Sequence, residues 1–414
     1  MPLRINADRL HARLEAMARV GATPAGGVGR TTLSDEDRAG RDLLRSWLEA
    51  AGLAVRVDDF GNMTARRPGR EDGPPVQLGS HLDSVPRGGR FDGALGVLAA
   101  LEVVETLNDT NVTTRLPLEV INFTDEEGAR FEPAMLGSGA AIGHFPKDYV
   151  YARTDARGLR FADELRRIGY QGREADRPRP GAAYLELHIE QGPALEAAGL
   201  PVGVVAGIVG ITWLEVTVVG QSDHAGPTPM GLRHDALVAA ARVIDRIDRL
   251  VRQVDERAVA TVGRLRIEPD VINIIPGRAV FSVDLRHPDL ATLDALVTHL
   301  EAIVGSETVA SGLEATIDRF WTSEPTPFSP AVVDAVAAAA DELELPTMRL
   351  WSGAGHDAKY MAEVCPTAMI FVRSQGGVSH CEQEYSTPED VEAGANVLLG
   401  AALRLAGTTE GVDG

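Results

Sequence analysis

The chain reads as an α/β domain with a mixed, mostly parallel sheet, interrupted by a smaller inserted α+β sandwich. Three observations predict this. Short apolar runs alternate with helical periodicity from about Pro75 to Leu187. Near Gly210 the pattern changes to two-residue alternation, and after the proline-rich stretch EPTPFSP the first texture returns. At 414 residues the chain is also longer than one core ordinarily serves. The expected division is 1–209 for the first part of the larger domain, 210–325 for the insertion and 326–414 for the second part.

The elements follow in order. The opening MPLRINADRLHARLEAMARV spaces its apolar residues as an amphipathic helix and lacks the continuous apolar core of a signal peptide, so a cytoplasmic protein is expected. Strand PVQLGSHLDS, helix ALGVLAALEVVETL, strand LPLEVINFTDEE and strand AAYLELHIE then build the parallel sheet. In the insertion come TWLEVTVVGQ, a long helix from about His234 to Val254, the strands TVGRLRIEP and GRAVFSVDLRHP, a further helix and LEATIDRFW. A helix, the loop WSGAGHDA, the strand AMIFV and the loop GGVSHCEQE complete the chain.

Composition removes several function classes. A formal net charge of -20, with no arginine stripe to offset it, argues against a nucleic-acid partner. No apolar run approaches the roughly 20 residues of a membrane span. Two cysteines, Cys365 and Cys381, cannot make a disulfide framework. Lys147 and Lys359 are the only lysines, and neither lies in a ligand motif, which disfavours mechanisms built on a modified lysine.

The residues that remain are those of a metal centre: His81, Asp92, the pair Glu126 and Glu127, His188 and His380, each at the end of an expected strand or in the loop beside it. A lone histidine in such a place is ordinarily just hydrogen-bonded, but five concordant positions outweigh that reading. Imidazole with carboxylate suits zinc, manganese or cobalt, whereas calcium prefers oxygen alone. One carboxylate such as Asp92 can bridge two divalent ions about 3.5 to 4 Å apart and so activate a water between them. Of Glu126 and Glu127, one is expected to coordinate and the other to move protons. Asp83, two residues after His81, is expected to accept that imidazole's second N–H and act with the catalytic groups by orienting it.

A second group suits an anionic, amide-bearing small molecule. Arg286 is a fork for a carboxylate, Gln191 and Asn273 can bond an amide or ureido group, and His224 can stabilise a developing oxyanion. Gly355 and His356 in SGAGHDA join them as substrate-binding candidates. The stretch GGVGRTT, residues 26–32, has the glycines of a phosphate loop but neither its lysine nor a preceding strand. Asn62 and Asn111 match a glycosylation pattern that means nothing without secretion, and Cys381 reads as an ordinary thiol.

At these residues the sequence resembles the hydantoinase/carbamoylase amidase family, related to the aminoacylases and di-zinc exopeptidases. GSHLDSVPRGGRFDGALGV, FTDEEGARF, LELHIEQGP, DHAGPTPM, INIIPGRAVFSVDLRHP, SGAGHDA and GVSHCEQEY carry the likeness in order over nearly the whole chain. The resemblance implies two divalent ions, one held by His81, Asp92 and His188 and the other by Asp92, Glu127 and His380, with Glu126 as general base. It implies substrate contacts from Gln191, His224, Asn273, Arg286 and Gly355. It further implies an inserted dimerisation or lid domain that makes a homodimer and donates His224 across it. Pro227, where the family often has threonine, and the CEQE after His380 depart from the pattern and bear on substrate preference. Histidine rather than an acid at 188 favours amidohydrolases over dipeptidases. The expected reaction is hydrolysis of the ureido C–N bond of an N-carbamoyl L-amino acid. Allantoate, ureidoglycolate or β-ureidopropionate chemistry is the alternative.

Overall fold

The computed structural model describes residues 2–407. It divides into a unit of 1–207 with 328 onward and a unit of 208–327, which lies two residues outside the expected insertion at either end.

In the larger unit the sheet runs in the order Ala54–Val57, Met63–Arg67, Leu118–Phe123, Val76–His81, Ala183–Ile189, Thr367–Val372 and Val202–Ile208, with Thr347–Ser352 also paired to the last. Its four middle strands are parallel, and the strands on either flank pair antiparallel. The middle strands are buried along their whole length, the polar Gln77, Glu119 and Glu186 included, as expected of a parallel sheet covered on both faces. Helix Ala94–Asp109 is likewise buried on nearly every side and packs on these strands. The N-terminal helix is Ala7–Ala18, capped by the Asn6 side chain on the Arg9 N–H. No described helix is long and apolar enough to cross a membrane.

In the insertion Leu265–Glu268, Arg278–His287, Gly210–Val219 and Glu314–Ser323 form an antiparallel sheet. Leu214, Val216 and Val218 point into a core shared with helices Ala236–Val254 and Leu290–Ser311, while Trp213 and Val219 face outward. Two sequence expectations need correction. TVGRLRIEP is two short strands, Val259–Thr261 and Leu265–Glu268, separated around Gly263, which has no side chain to pack. The start of WSGAGHDA belongs to a strand, Thr347–Ser352, whose partly exposed, mixed sequence lacks a clean apolar period.

Candidate active site

The parallel strands deliver the site at their C-terminal ends, where open α/β sheets collect functional groups. His81 is the last residue of its strand, His188 the penultimate of its own, and the turn 124–128 follows Leu118–Phe123. The loop after Thr367–Val372 carries His380. Asp92 precedes Gly93, the N-cap of helix Ala94–Asp109, whose φ of 62° an L side chain rarely adopts. A Cβ there would also lie 2.3 to 2.5 Å from atoms of the His81 ring. Glycine lets Asp92 and His81 approach.

The two oxygens of Asp92 face different partners. Oδ1 lies 3.1 Å from His188 Nε2 and 3.7 Å from His81 Nε2. Oδ2 lies 3.4 Å from His380 Nε2, which is itself 3.4 Å from Glu127 Oε2. Two groups that could each hold a metal ion therefore share one carboxylate: His81, Asp92 and His188, and Asp92, Glu127 and His380. The donor set fits divalent cations. The Nδ1 atoms of His81 and His188 each sit 2.9 Å from a backbone carbonyl, of Asp83 and Ile189 respectively. A carbonyl only accepts, so Nδ1 carries the hydrogen and Nε2 turns its lone pair to the cluster. His81 Nε2 is buried with no hydrogen-bond partner, the mark of an atom meant for a ligand.

Electrostatics follow from this crowding. Burial opposes charge on Asp92, but hydrogen bonds from His188 and His380 and the charges of His188 and His81 outweigh it and hold the carboxyl well below its usual range. The complement is His188, which burial would lower but Asp92 pushes up to about 9. Burial, then the nearby Asp357 and Glu127, raise Glu126 well above an ordinary glutamate. Glu127 is raised by burial and by Asp92. A divalent cation would act the other way on Glu127 and the histidines, because it competes with protons for the same lone pairs. Glu126 Oε2 lies 3.6 Å from His81 Nε2, at the mouth of the first cluster.

Asp83 differs from its expected role. The strand ends at His81, and it is the Asp83 backbone carbonyl that meets the imidazole, while its carboxylate stands 3.9 Å from Nδ1. That carboxylate instead accepts the N–H groups of Glu126 at 3.3 Å and Glu127 at 3.4 Å and the Thr32 hydroxyl at 2.7 Å. It orients the acidic turn rather than the imidazole. His356 also departs from its expected place among the substrate groups. It is 1% exposed, its ring packs edge-on against that of His188 with centroids 4.5 Å apart, and its Nε2 lies 2.8 Å from the Ser352 hydroxyl.

Of the other substrate candidates, Gln191 stands over the shared carboxylate, its Nε2 donating to Asp92 Oδ2 at 3.0 Å and its Oε1 buried without a partner. Gly355 is half-buried beside Met135. In the insertion, His224 and Asn273 are exposed at a small two-stranded antiparallel pairing of segments 50 residues apart, where Ile274 pairs with His224 and the Ala225 N–H meets the Asn273 carbonyl at 3.0 Å. Arg286 is engaged by Asp284, two residues back on the same strand face, through Nε at 3.0 Å and Nη2 at 2.7 Å. Sequence reasoning passed over Asp284, although the alternation in VDLR places both side chains on one face. The glycine-rich GGVGRTT, residues 26–32, lacks the lysine of a phosphate loop and instead braces the site. There Arg30 is buried, donating to the carbonyls of Leu82, Met17 and Val20, and Thr32 reaches Asp83.

Comparison with known proteins gives the family. The profile of peptidase family M20/M25/M40 matches residues 77–404. An N-carbamoyl-L-amino-acid amidohydrolase of Rhizobium meliloti is 45% identical over 408 residues, covering 98% of each chain. An allantoate amidohydrolase of Bacillus subtilis is 34% identical over 95% of this chain and 96% of its own. The crystal structure of an amidase of the hydantoinase/carbamoylase family from Burkholderia multivorans superposes with a TM-score of 0.95 at 47% identity, covering 98% of both chains. The chain is a member of peptidase family M20/M25/M40, among its hydantoinase/carbamoylase amidases.

Proposed function

We propose that the protein is a two-metal amidohydrolase that converts an N-carbamoyl L-amino acid and one water to the amino acid, carbon dioxide and ammonia. The observation that carries this reading is the division of Asp92, with Oδ1 toward His81 and His188 and Oδ2 toward His380. Zinc, manganese or cobalt held there would lower the proton affinity of a water and polarise the ureido carbonyl. Glu126 accepts the proton of the attacking water and returns it to the leaving nitrogen; burial already inclines it to hold a proton. Gln191 offers its unpartnered Oε1 to a ureido N–H. Arg286 holds the substrate carboxylate, which must share the guanidinium with Asp284. Asn273 and Gly355 complete the substrate contacts. The exposed His224 stabilises the oxyanion, in our reading at the site of a second subunit of a homodimer.

The names of the more similar relatives favour N-carbamoyl L-amino acids, at 45% and 43% identity, while allantoate amidohydrolases stand at 34%. The discriminating experiment follows ammonia release by metal-reconstituted enzyme from a panel of N-carbamoyl L-amino acids, N-carbamoyl-β-alanine and allantoate. The highest kcat/KM is expected on an N-carbamoyl L-amino acid. A preference for allantoate or N-carbamoyl-β-alanine would replace the substrate named here, and no turnover of any of them would overturn the reading.

A further inference from the structure

We propose that Glu384 is the positioning residue that couples the two ligand clusters, fixing His380 relative to the shared Asp92. The inference rests on the two-metal reading. Glu384 is 3% exposed and belongs to neither cluster. Its Oε1 accepts two consecutive backbone N–H groups, of Phe91 at 3.1 Å and Asp92 at 3.0 Å. Its Oε2 accepts the hydroxyl of Ser379, the residue before His380, at 2.8 Å. One carboxylate thus clamps the backbone of the shared ligand with one oxygen and the approach to His380 with the other, across 292 positions of sequence.

The surroundings show that this clamp is built in. Gly89 leaves room for it, since a Cβ at that position would lie 2.0 Å from Glu384 Oε1. Tyr385 packs edge-on against Phe91 with ring centroids 5.9 Å apart, pinning the same two segments one residue further on. His380 has a φ of 54° and a side chain 54% exposed, so neither burial nor a regular element fixes its ring. By contrast His81 and His188 lie on buried strands. The His380 cluster consequently depends on a hydrogen-bonded clamp where the other depends on the sheet. A buried carboxylate that keeps its acceptors filled can supply that rigidity, and removing it leaves three donors without partners.

The test is calorimetric titration of zinc into chelator-stripped wild type, Glu384→Ala and Glu384→Gln, with circular dichroism and thermal unfolding to verify the fold. Wild type is expected to bind two ions per chain. Glu384→Ala should keep one at near wild-type affinity and bind the other about 10- to 100-fold more weakly, the usual cost of losing a residue that supports a ligand. Glu384→Gln retains an acceptor for the Phe91 and Asp92 N–H groups and should recover most of that loss. Should Glu384→Ala fail to fold, Ser379→Ala removes the His380 side of the clamp alone and is expected to weaken the same ion. Two ions bound with unchanged affinity by a folded Glu384→Ala, or by Ser379→Ala in its place, would overturn the role of Glu384 and leave the two-metal reading standing. A wild type that binds fewer than two ions would remove the two-metal reading itself, and this inference with it.

Discussion

In the larger unit, His81, Asp92 and His188 are each 5% exposed or less and meet within one cluster on the ends of buried strands. In the insertion, His224 and Asn273 stand exposed at a short two-stranded pairing, and the Arg286 side chain keeps 31% exposure with its fork on Asp284. The first region is organised by the chain's own packing. The second presents its groups at the surface. The difference separates chemistry from recognition: substitutions in the first should change turnover and metal content, those in the second the choice of substrate.

The largest effect expected is at Glu126. Glu126→Gln keeps the ligand set and should retain metal while kcat falls by about 10²- to 10⁴-fold, the range of a lost general acid–base group. Normal turnover would take the proton-handling role away from it. Next is Gly93→Ala, which sets a methyl 2.3 Å from the His81 ring at a φ of 62°. Metal affinity should drop about 10- to 100-fold as the ligand is pushed aside; unaltered metal content would show that the approach of Asp92 to His81 is not tight.

Effects in the insertion should be smaller and selective. Arg286→Lys replaces a planar fork with a point charge and is expected to lower kcat/KM about tenfold on substrates bearing a carboxylate. An equal loss on a carboxylate-free amide would break the contrast between the two regions. The smallest change tests the support beneath the site. Thr32→Val leaves the buried Asp83 carboxylate short of one donor, at a cost of about 1–3 kcal/mol of stability read from urea unfolding. Little change in KM should accompany it.

The residues that the structure gathers into two candidate clusters were legible because metal chemistry restricts residue types, and strands such as VQLGSH and AYLELHI carry their histidines at or next to their last position. The alternation in TWLEVTVVGQ likewise exposed the insertion's sheet, since one face is packed and the other is not. What the sequence hid were contacts made by backbone and by distant partners. Nothing in GSHLDS tells that the carbonyl of Asp83 rather than its carboxylate meets His81. His356 looked like a substrate group because a buried imidazole and an exposed one are written with the same letter. Thr32 and Glu384 act across 51 and 292 residues of chain, and no local period reports such pairings.

The central claim is that one carboxylate is shared by two cations. Anomalous diffraction from crystals of active, zinc-reconstituted enzyme tests it most directly. The account predicts two peaks, one on the Oδ1 side of Asp92 among His81 and His188 and one on the Oδ2 side among Glu127 and His380. A single peak in fully active enzyme, or peaks that do not touch Asp92, would contradict it.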